Sequence, residues 1–313
     1  MEHSSPTQWC DERKVAKPDT NLDKLLVQTF WVRMMKSVIP VPELDSVLGI
    51  RASSAFLYCG PAGTGKHTLA RALAGSLSCD YYQMSGRDLN EDMESRLETL
   101  LRQVDPDHPL VLQCENLQSC GDPDALAACL SQMIQVCDQA NLPVVFILIE
   151  EEDKAIPAAL LRQLTVCRFV LPNLLEREEF FSKSLSKRFP LQPGLGAKDL
   201  AVASDGLNLR QLSVSLRMML RGLKEQALVR YKTRYSMAQD AIRNMELVVD
   251  MNMFREIVNH LKEPEKEKQP PIQIVQTVAA ASTGAVPVEQ DQPESKTDRL
   301  KQSKSMSDFF NNL

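Results

Sequence analysis

Gly60-Pro61-Ala62-Gly63-Thr64-Gly65-Lys66-His67-Thr68 is a glycine-rich turn set between a short apolar run and a helical pattern. Ala55, Phe56, Leu57, Tyr58 and Cys59 precede it and read as a buried parallel strand. Leu69, Leu73 and Leu77 follow at helical spacing, with good helix formers between them. Strand, glycine turn and helix in that order make the setting of a phosphate-binding loop. Its successive backbone N–H groups and the helix N-terminus face an anion, and Lys66 reaches the outer phosphates. One position departs from the strict pattern. Ser or Thr is expected straight after the lysine to hold Mg²⁺, but His67 stands there and the hydroxyl arrives one place late, at Thr68.

Working outward, Tyr81, Tyr82 and Met84 suggest a second strand, and Ser85 with Asp88 is spaced like a capping box opening a polar helix through Leu97, Leu100 and Leu101. Pro109 to Cys114 is a third apolar run, ending in Glu115. Asp122 with Pro123 starts a helix whose face is Leu126, Leu130, Met133, Ile134 and Cys137. Val144 to Ile149 is the most strand-like segment, and Thr165 to Leu171 reads as one more strand. Strands alternating with helices point to an α/β fold, a parallel sheet sandwiched by helices. Upstream, residues 1–20 read as a flexible lead-in. Leu22, Leu25, Leu26 and Phe30 then mark one helical face running towards Met34, stopped by Pro40 and Pro42.

From Leu174 onward the pattern is helical only. Leu209, Leu212, Leu216, Leu220 and Leu223 form one stripe, and Phe254, Ile257, Val258 and Leu261 another. After Lys262 the composition turns charged and proline-rich. The expected plan is a flexible N-terminus (1–20), an α/β nucleotide-binding domain (21–173), a small all-α lid (174–262) and a disordered tail (263–313) ending in a hydrophobic motif.

Composition narrows the function classes. A net charge of -5 over 313 residues argues against bulk electrostatic binding of nucleic acid. The eight cysteines show no Cys-x-x-Cys pair and no zinc spacing. The first 17 residues are polar, without an apolar signal core, and no run is long enough to span a bilayer. A reducing, cytoplasmic setting with no membrane partner is expected, and a nuclear one stays open.

The first 262 residues resemble the AAA family of ATPases. The resemblance rests on a series of motifs in order. Pro42-Glu43-Leu44 with Leu48-Gly49-Ile50 looks like the family's lead-in, and residues 60–66 lie close to its Walker A sequence. Ile156-Pro157-Ala158-Ala159-Leu160-Leu161-Arg162 is similar to the segment after its fourth strand. Leu171-Pro172 with Glu176-Arg177-Glu178-Glu179 resembles the approach to its helical lid, and Val249-Asp250-Met251-Asn252-Met253-Phe254 the start of the lid's last helix. The resemblance implies a nucleotide site for ATP or ADP with Mg²⁺, held by Gly60, Pro61, Ala62, Gly63, Thr64, Gly65, Lys66, His67 and Thr68. Thr68 is the candidate metal ligand. It also implies an oligomer, homo- or hetero-, built through this domain.

Several positions depart from the family's chemistry. Its Walker B run ends in Asp-Glu; Leu110-Val111-Leu112-Gln113-Cys114-Glu115 keeps the Glu, as catalytic base, and places Cys114 in the Asp position. Imidazole and thiol are poor substitutes for the hard oxygen ligands Mg²⁺ takes. The family's polar sensor falls in Glu150-Glu151-Glu152-Asp153, with Glu151 aligning best. These acids read either as a solvated turn, the favoured account, or as replacement support for Mg²⁺. Arg162 matches the arginine finger, which acts on a neighbouring subunit's nucleotide; a helix-end arginine bonding carbonyls fits equally. Arg210 lies where many relatives place a lid arginine over the γ-phosphate, with a plain surface arginine as the competing account. The aromatic-hydrophobic-Gly loop of polypeptide-threading members has no match between Leu89 and Arg96.

At the far end, Ser303, Met306, Phe309 and Phe310 are spaced like the sliding-clamp peptide (PIP box) of replication proteins, with Ser303 where Gln is preferred. The expected function is therefore an ATP-binding AAA module that assembles or switches with nucleotide and hydrolyses it weakly. The alternatives are a non-catalytic scaffold and a DNA-maintenance factor recruited to a sliding clamp.

Overall fold

A computed structural model describes residues 6–262, apart from 28, 90–92, 106–107, 186–188 and 233. The linker and tail expected over 263–313, the clamp-like peptide at 303–310 and part of the segment between Leu89 and Arg96 lie outside the described residues.

The chain opens with α1 (Pro6–Arg13), α2 (Phe30–Lys36) and α3 (Pro42–Leu48), and then alternates. β1 (Ser54–Cys59) leads to α4 (Lys66–Leu77), β2 (Asp80–Ser85) to α5 (Met93–Leu101), and β3 (Leu110–Glu115) to α6 (Pro123–Gln139). β4 (Val144–Glu150), α7 (Ala158–Leu161) and β5 (Thr165–Arg168) complete the sheet. All pairings are parallel, in the order β2-β3-β4-β1-β5. The strands are apolar runs because helices cover both faces; β4 is buried along its whole length. β1 is flanked by the later strands β4 and β5, so its C-terminal end opens at a switch in strand order, where open α/β sheets place their ligands. The α4 face Leu69, Ala70, Leu73 and Ala74 packs on Tyr58, Val145, Ile147 and Phe169.

Two expectations about the front of the chain are corrected. Residues 6–20 are not a loose lead-in. Trp9 and Cys10 of α1 are 2% and 0% exposed, and the Trp9 ring lies under the guanidinium groups of Arg13 and Arg96 at 5.9 and 5.4 Å. Lys14 then bridges Tyr82 in antiparallel fashion, and the Val15 N–H donates to the Tyr81 carbonyl at 2.8 Å. The stripe from Leu22 to Met34 is not one helix either. Asn21 caps a single 3₁₀ turn, Leu22–Lys24, the chain extends at Leu25, and Thr29 caps α2 afresh by accepting from the Val32 N–H. Likewise Asp88 accepts from the Ser85 N–H at 2.8 Å, but this closes a 3₁₀ turn, Gly86–Leu89, and α5 starts later.

Between Arg168 and Lys262 the named elements are helices, α8 (Leu174–Ser184), α9 (Ala197–Ala203), α10 (Leu209–Tyr231), α11 (Tyr235–Arg243) and α12 (Met251–Lys262), with an isolated parallel bridge between Leu191 and Val249. They share a core that includes Phe180, Phe181, Leu212, Met219, Phe254 and Val258. Arg177, 6% exposed, holds this unit to the extended segment that leads into it from β5. It donates to the carbonyls of Pro172 (2.7 Å) and Ala201 (2.9 Å) and pairs with Asp205 (2.8 Å). No helix among the described residues is long and apolar enough to cross a membrane.

Candidate functional site

The loop between β1 and α4 is shaped by positions that only glycine tolerates. Gly60 has φ 139, and a Cβ there would lie 2.1 Å from the Phe169 carbonyl oxygen. Gly63 has φ 76, with the Asn208 side chain 2.7 Å from where its Cβ would be. Gly65 begins α4 with no side chain capping the helix, so its first N–H groups are left for a ligand. Thr64 closes the loop from within by donating to the Pro61 carbonyl at 2.8 Å. Lys66 is 6% exposed, and its ammonium donates to the carbonyls of Gly60 and of Pro61, the latter at 2.9 Å. Burial draws its pKa down from 10.5, and the nearby Glu151 carboxylate opposes that shift. A buried cation whose partners are loop carbonyls stands ready for an anion.

The helical unit reaches this loop directly. The Arg210 N–H donates to the Gly63 carbonyl at 3.0 Å, and the Asn208 amide to the Ala62 carbonyl at 3.2 Å. Asn208 also caps α10 in a box with Gln211. Between loop, lid and the stretch before α2 lies a cavity of about 710 Å³, a size that suits a nucleotide. Residues 62–68 line it, together with Glu115 and Arg210. Thr68 is among them, exposed at the cavity wall. Arg162 is not. It sits exposed at the C-terminal end of α7.

The ends of β3 and β4 form the far rim. Cys59 pairs in register with Glu150, and Ile149 with Glu115, so both strands finish beside the loop. Glu150 is 8% exposed and accepts from the Leu117 N–H at 2.6 Å. Burial raises its carboxyl pKa; the Leu117 bond opposes this, and the charges of Glu115 and Glu151 add to it. His67 Nδ1 lies 3.3 Å from Glu115 Oε2 and 3.2 Å from Gln113 Nε2. Gln113, fully buried, accepts in turn from the Tyr81 hydroxyl at 2.6 Å.

Cys114 is a small buried side chain, in keeping with its place in an apolar run. Side chains alternate along a strand, so Gln113 and Glu115 share the face towards His67 and Cys114 points the other way. Cys114 is 0% exposed, is absent from the cavity wall, and burial pushes its thiol pKa far above 9.0. The buried run of β3 thus extends through Cys114, and the polar pair leaving the strand is Glu115-Asn116, both on the cavity wall.

The donor set fits a polyphosphate, and two of the usual protein supports for its Mg²⁺ are altered. The place after the lysine holds an imidazole, hydrogen-bonded to Gln113 and 3.3 Å from Glu115, and the thiol is sealed in the core. Glu150 is committed to Leu117, and Asp153 to Arg168. Among the described residues no three His, Cys, Asp or Glu groups gather to hold an ion. Mg²⁺ bound with a nucleotide takes most of its oxygens from phosphate and water; the Thr68 hydroxyl and the carboxylates of Glu115 and Glu151, all on the cavity wall, are the oxygens this chain would offer it.

Sequence reasoning missed several parts of the wall. Leu25, Leu26 and Val27 line the cavity because the expected helix breaks there. Asn208 had a signal, the Asn-x-x-Gln spacing before an apolar stripe. Ser213 and Arg217 continue the α10 face that begins at Arg210, spaced i, i+3, i+7.

Residues 56–171 match the model of the ATPase family associated with various cellular activities (AAA). The ATP-dependent zinc metalloprotease FtsH of Hahella chejuensis is 32% identical over 112 residues, 34% of this chain and 18% of that protein. The chloroplastic ATP-dependent zinc metalloprotease FTSH 6 of Arabidopsis thaliana is 28% identical over 192 residues, covering 52% and 28%. Human ATP-dependent zinc metalloprotease YME1L1 is 34% identical over 84 residues, covering 26% and 11%. The chain therefore spans less than a third of the length of each of these relatives. A solved structure titled "Structural Basis for Katanin Self-Assembly" shares the fold, with a TM-score of 0.59 at 18% identity over 83% of this chain and 91% of that one.

Proposed function

The chain belongs to the AAA family of P-loop ATPases, and from that premise we propose that it is a nucleotide-binding module whose lid contact responds to occupancy of the loop, with ATP hydrolysis impaired. The observation that carries this reading is the pair of hydrogen bonds from the start of α10 to the loop, Arg210 N–H to Gly63 and Asn208 to Ala62, across the cavity holding Lys66. A polyphosphate in the loop lies against the lid helix, so binding and lid position are coupled. Residues 60–66 hold the phosphates, Lys66 supplies the charge, and Arg210 extends over the cavity from the lid.

Impairment follows from the rim. A general base must stand within hydrogen-bond reach of the attacking water. The Glu115 carboxylate lies 3.3 Å from His67 Nδ1, which crowds the side where a water would approach it, and the next position, Asn116, is an amide that cannot take a proton. We assign Glu115 to positioning His67 rather than to the base role that the resemblance gives it. Assembly belongs to the same proposal: Arg162, exposed at the end of α7, is the group a neighbouring subunit's nucleotide would meet. The 303–310 peptide keeps clamp recruitment as a separate arm, tested by binding of a 299–313 peptide to a sliding clamp and its loss in Phe309→Ala/Phe310→Ala.

Thermal shift with ADP and with ATP, each with Mg²⁺ and with EDTA, tests the reading, alongside turnover of the same preparation. We expect a nucleotide-dependent rise in Tm that Lys66→Ala abolishes, and turnover near background. No shift with either nucleotide overturns nucleotide binding. Sustained Mg²⁺-dependent turnover overturns the impairment.

A further inference from the structure

We infer that this cavity selects a nucleoside diphosphate over a triphosphate, and that Glu151 is the residue that sets the preference. The inference rests on the loop being a nucleotide site and specifies which nucleotide it takes. The register of the sheet brings the ends of β3 and β4 to the rim of the loop, carrying Glu115, Glu150 and Glu151. Two of these have partners inside the protein: Glu115 faces His67, and Glu150 accepts from the Leu117 N–H. Glu151 differs. Its backbone carbonyl accepts from the Gly60 N–H at 3.0 Å, which pins it beside the first glycine of the loop. Its side chain is exposed, and among the described residues no hydrogen bond or ion pair engages the carboxylate. Its charge nonetheless acts on the Lys66 ammonium, opposing the downward pull of burial.

Glu151 therefore stands on the same cavity wall as Lys66, on the side where an outer phosphate would lie. Two phosphates are covered by the loop N–H groups and Lys66. A third adds charge at the rim, where a carboxylate repels it unless a cation lies between. Without a metal the rim has no cation to offset that charge, because among the described residues the cavity's other cations, Lys24, Arg210 and Arg217, come from the N-terminal segment and the lid rather than from the strand ends.

The test is calorimetric titration of the full chain with ADP and with ATP in EDTA at physiological ionic strength, repeated on Glu151→Gln and Glu151→Lys. The wild type should bind ADP about fivefold or more tightly than ATP, the effect of one close like-charge contact at a solvent-exposed rim. Glu151→Gln should bring the two within about threefold by improving ATP, and Glu151→Lys should reverse the order. Because Glu151 is exposed, both variants should keep the wild-type circular dichroism spectrum. Equal or tighter ATP binding by the wild type, or an unchanged ratio in Glu151→Gln, overturns the inference while leaving the nucleotide site standing. Binding of neither nucleotide overturns both.

Discussion

His67 Nδ1 stands 3.3 Å from Glu115 Oε2, so the side chain that replaces the expected hydroxyl lies beside the carboxylate at the family's base position. The same nitrogen is 3.2 Å from the Gln113 amide. A single ring nitrogen can donate to Glu115 or accept from Gln113, but not both at once. The tautomer of one histidine thus decides whether Glu115 is bound or free.

Replacing that histidine should move the metal behaviour of the site. In His67→Thr the hydroxyl returns beside the lysine and Glu115 loses its partner. ATP affinity should then become Mg²⁺-dependent by about tenfold, the worth of one strong contact to an ion, where the wild type shows little difference. Titration calorimetry with and without Mg²⁺ reads this, and equal dependence in both proteins would refute the role given to His67.

Restoring the motif at Cys114 should fail. Cys114→Asp puts a carboxylate into a fully buried position near Glu150, Glu115 and Asp88, the groups that already push the thiol pKa up. We expect a loss of about 3 kcal/mol or more in stability and no gain in turnover. A variant with wild-type Tm and raised turnover would show that Cys114 does face the nucleotide.

The two loop glycines should differ in kind. Gly60→Ala meets backbone, the Phe169 carbonyl, whereas Gly63→Ala meets only the Asn208 side chain, which can rotate away. Both place alanine at positive φ, costing about 1–3 kcal/mol, and Gly60→Ala should be the less stable in urea melts. Gly63→Ala should instead loosen the lid, seen as faster amide exchange at the start of α10. Equal melts for the two variants would count against the clash at Phe169.

Glu150 gives a pH dependence of definite sign. Burial raises its folded pKa above 4.5, so the folded chain holds that proton to higher pH than the unfolded chain does. Its contribution is most favourable below 4.5 and is lost as pH rises through the raised folded value. Glu150→Gln keeps an oxygen for the Leu117 N–H and removes the charge. Tm of the variant should exceed that of the wild type at pH 7, and the gap should close towards pH 4.5. A gap that widens on acidification would contradict the assignment.

Much of this arrangement is legible in the residues because it is local. The loop, its strand and its helix follow from glycine placement and periodicity. What escaped depends on contacts distant in sequence. α1 is polar apart from Trp9 and Cys10, and nothing local says that Arg96, far along the chain, will sandwich the indole. The stripe from Leu22 to Phe30 keeps helical spacing, yet Asn21 and Thr29 divide it by offering side-chain oxygens to the backbone. At Cys114 the apolar run gives the burial, and the alternation of β3 adds which face the side chain takes.

The pairing of Lys14 and Val15 with β2 reaches beyond the nucleotide. β2 ends the sheet, and an uncovered strand edge is a template on which a second molecule can lay its own strand. The lead-in occupies that template in advance. Shortening the chain to residue 16 should leave ADP binding intact while the preparation becomes cloudy on concentration, so the first residues guard colloidal behaviour rather than chemistry.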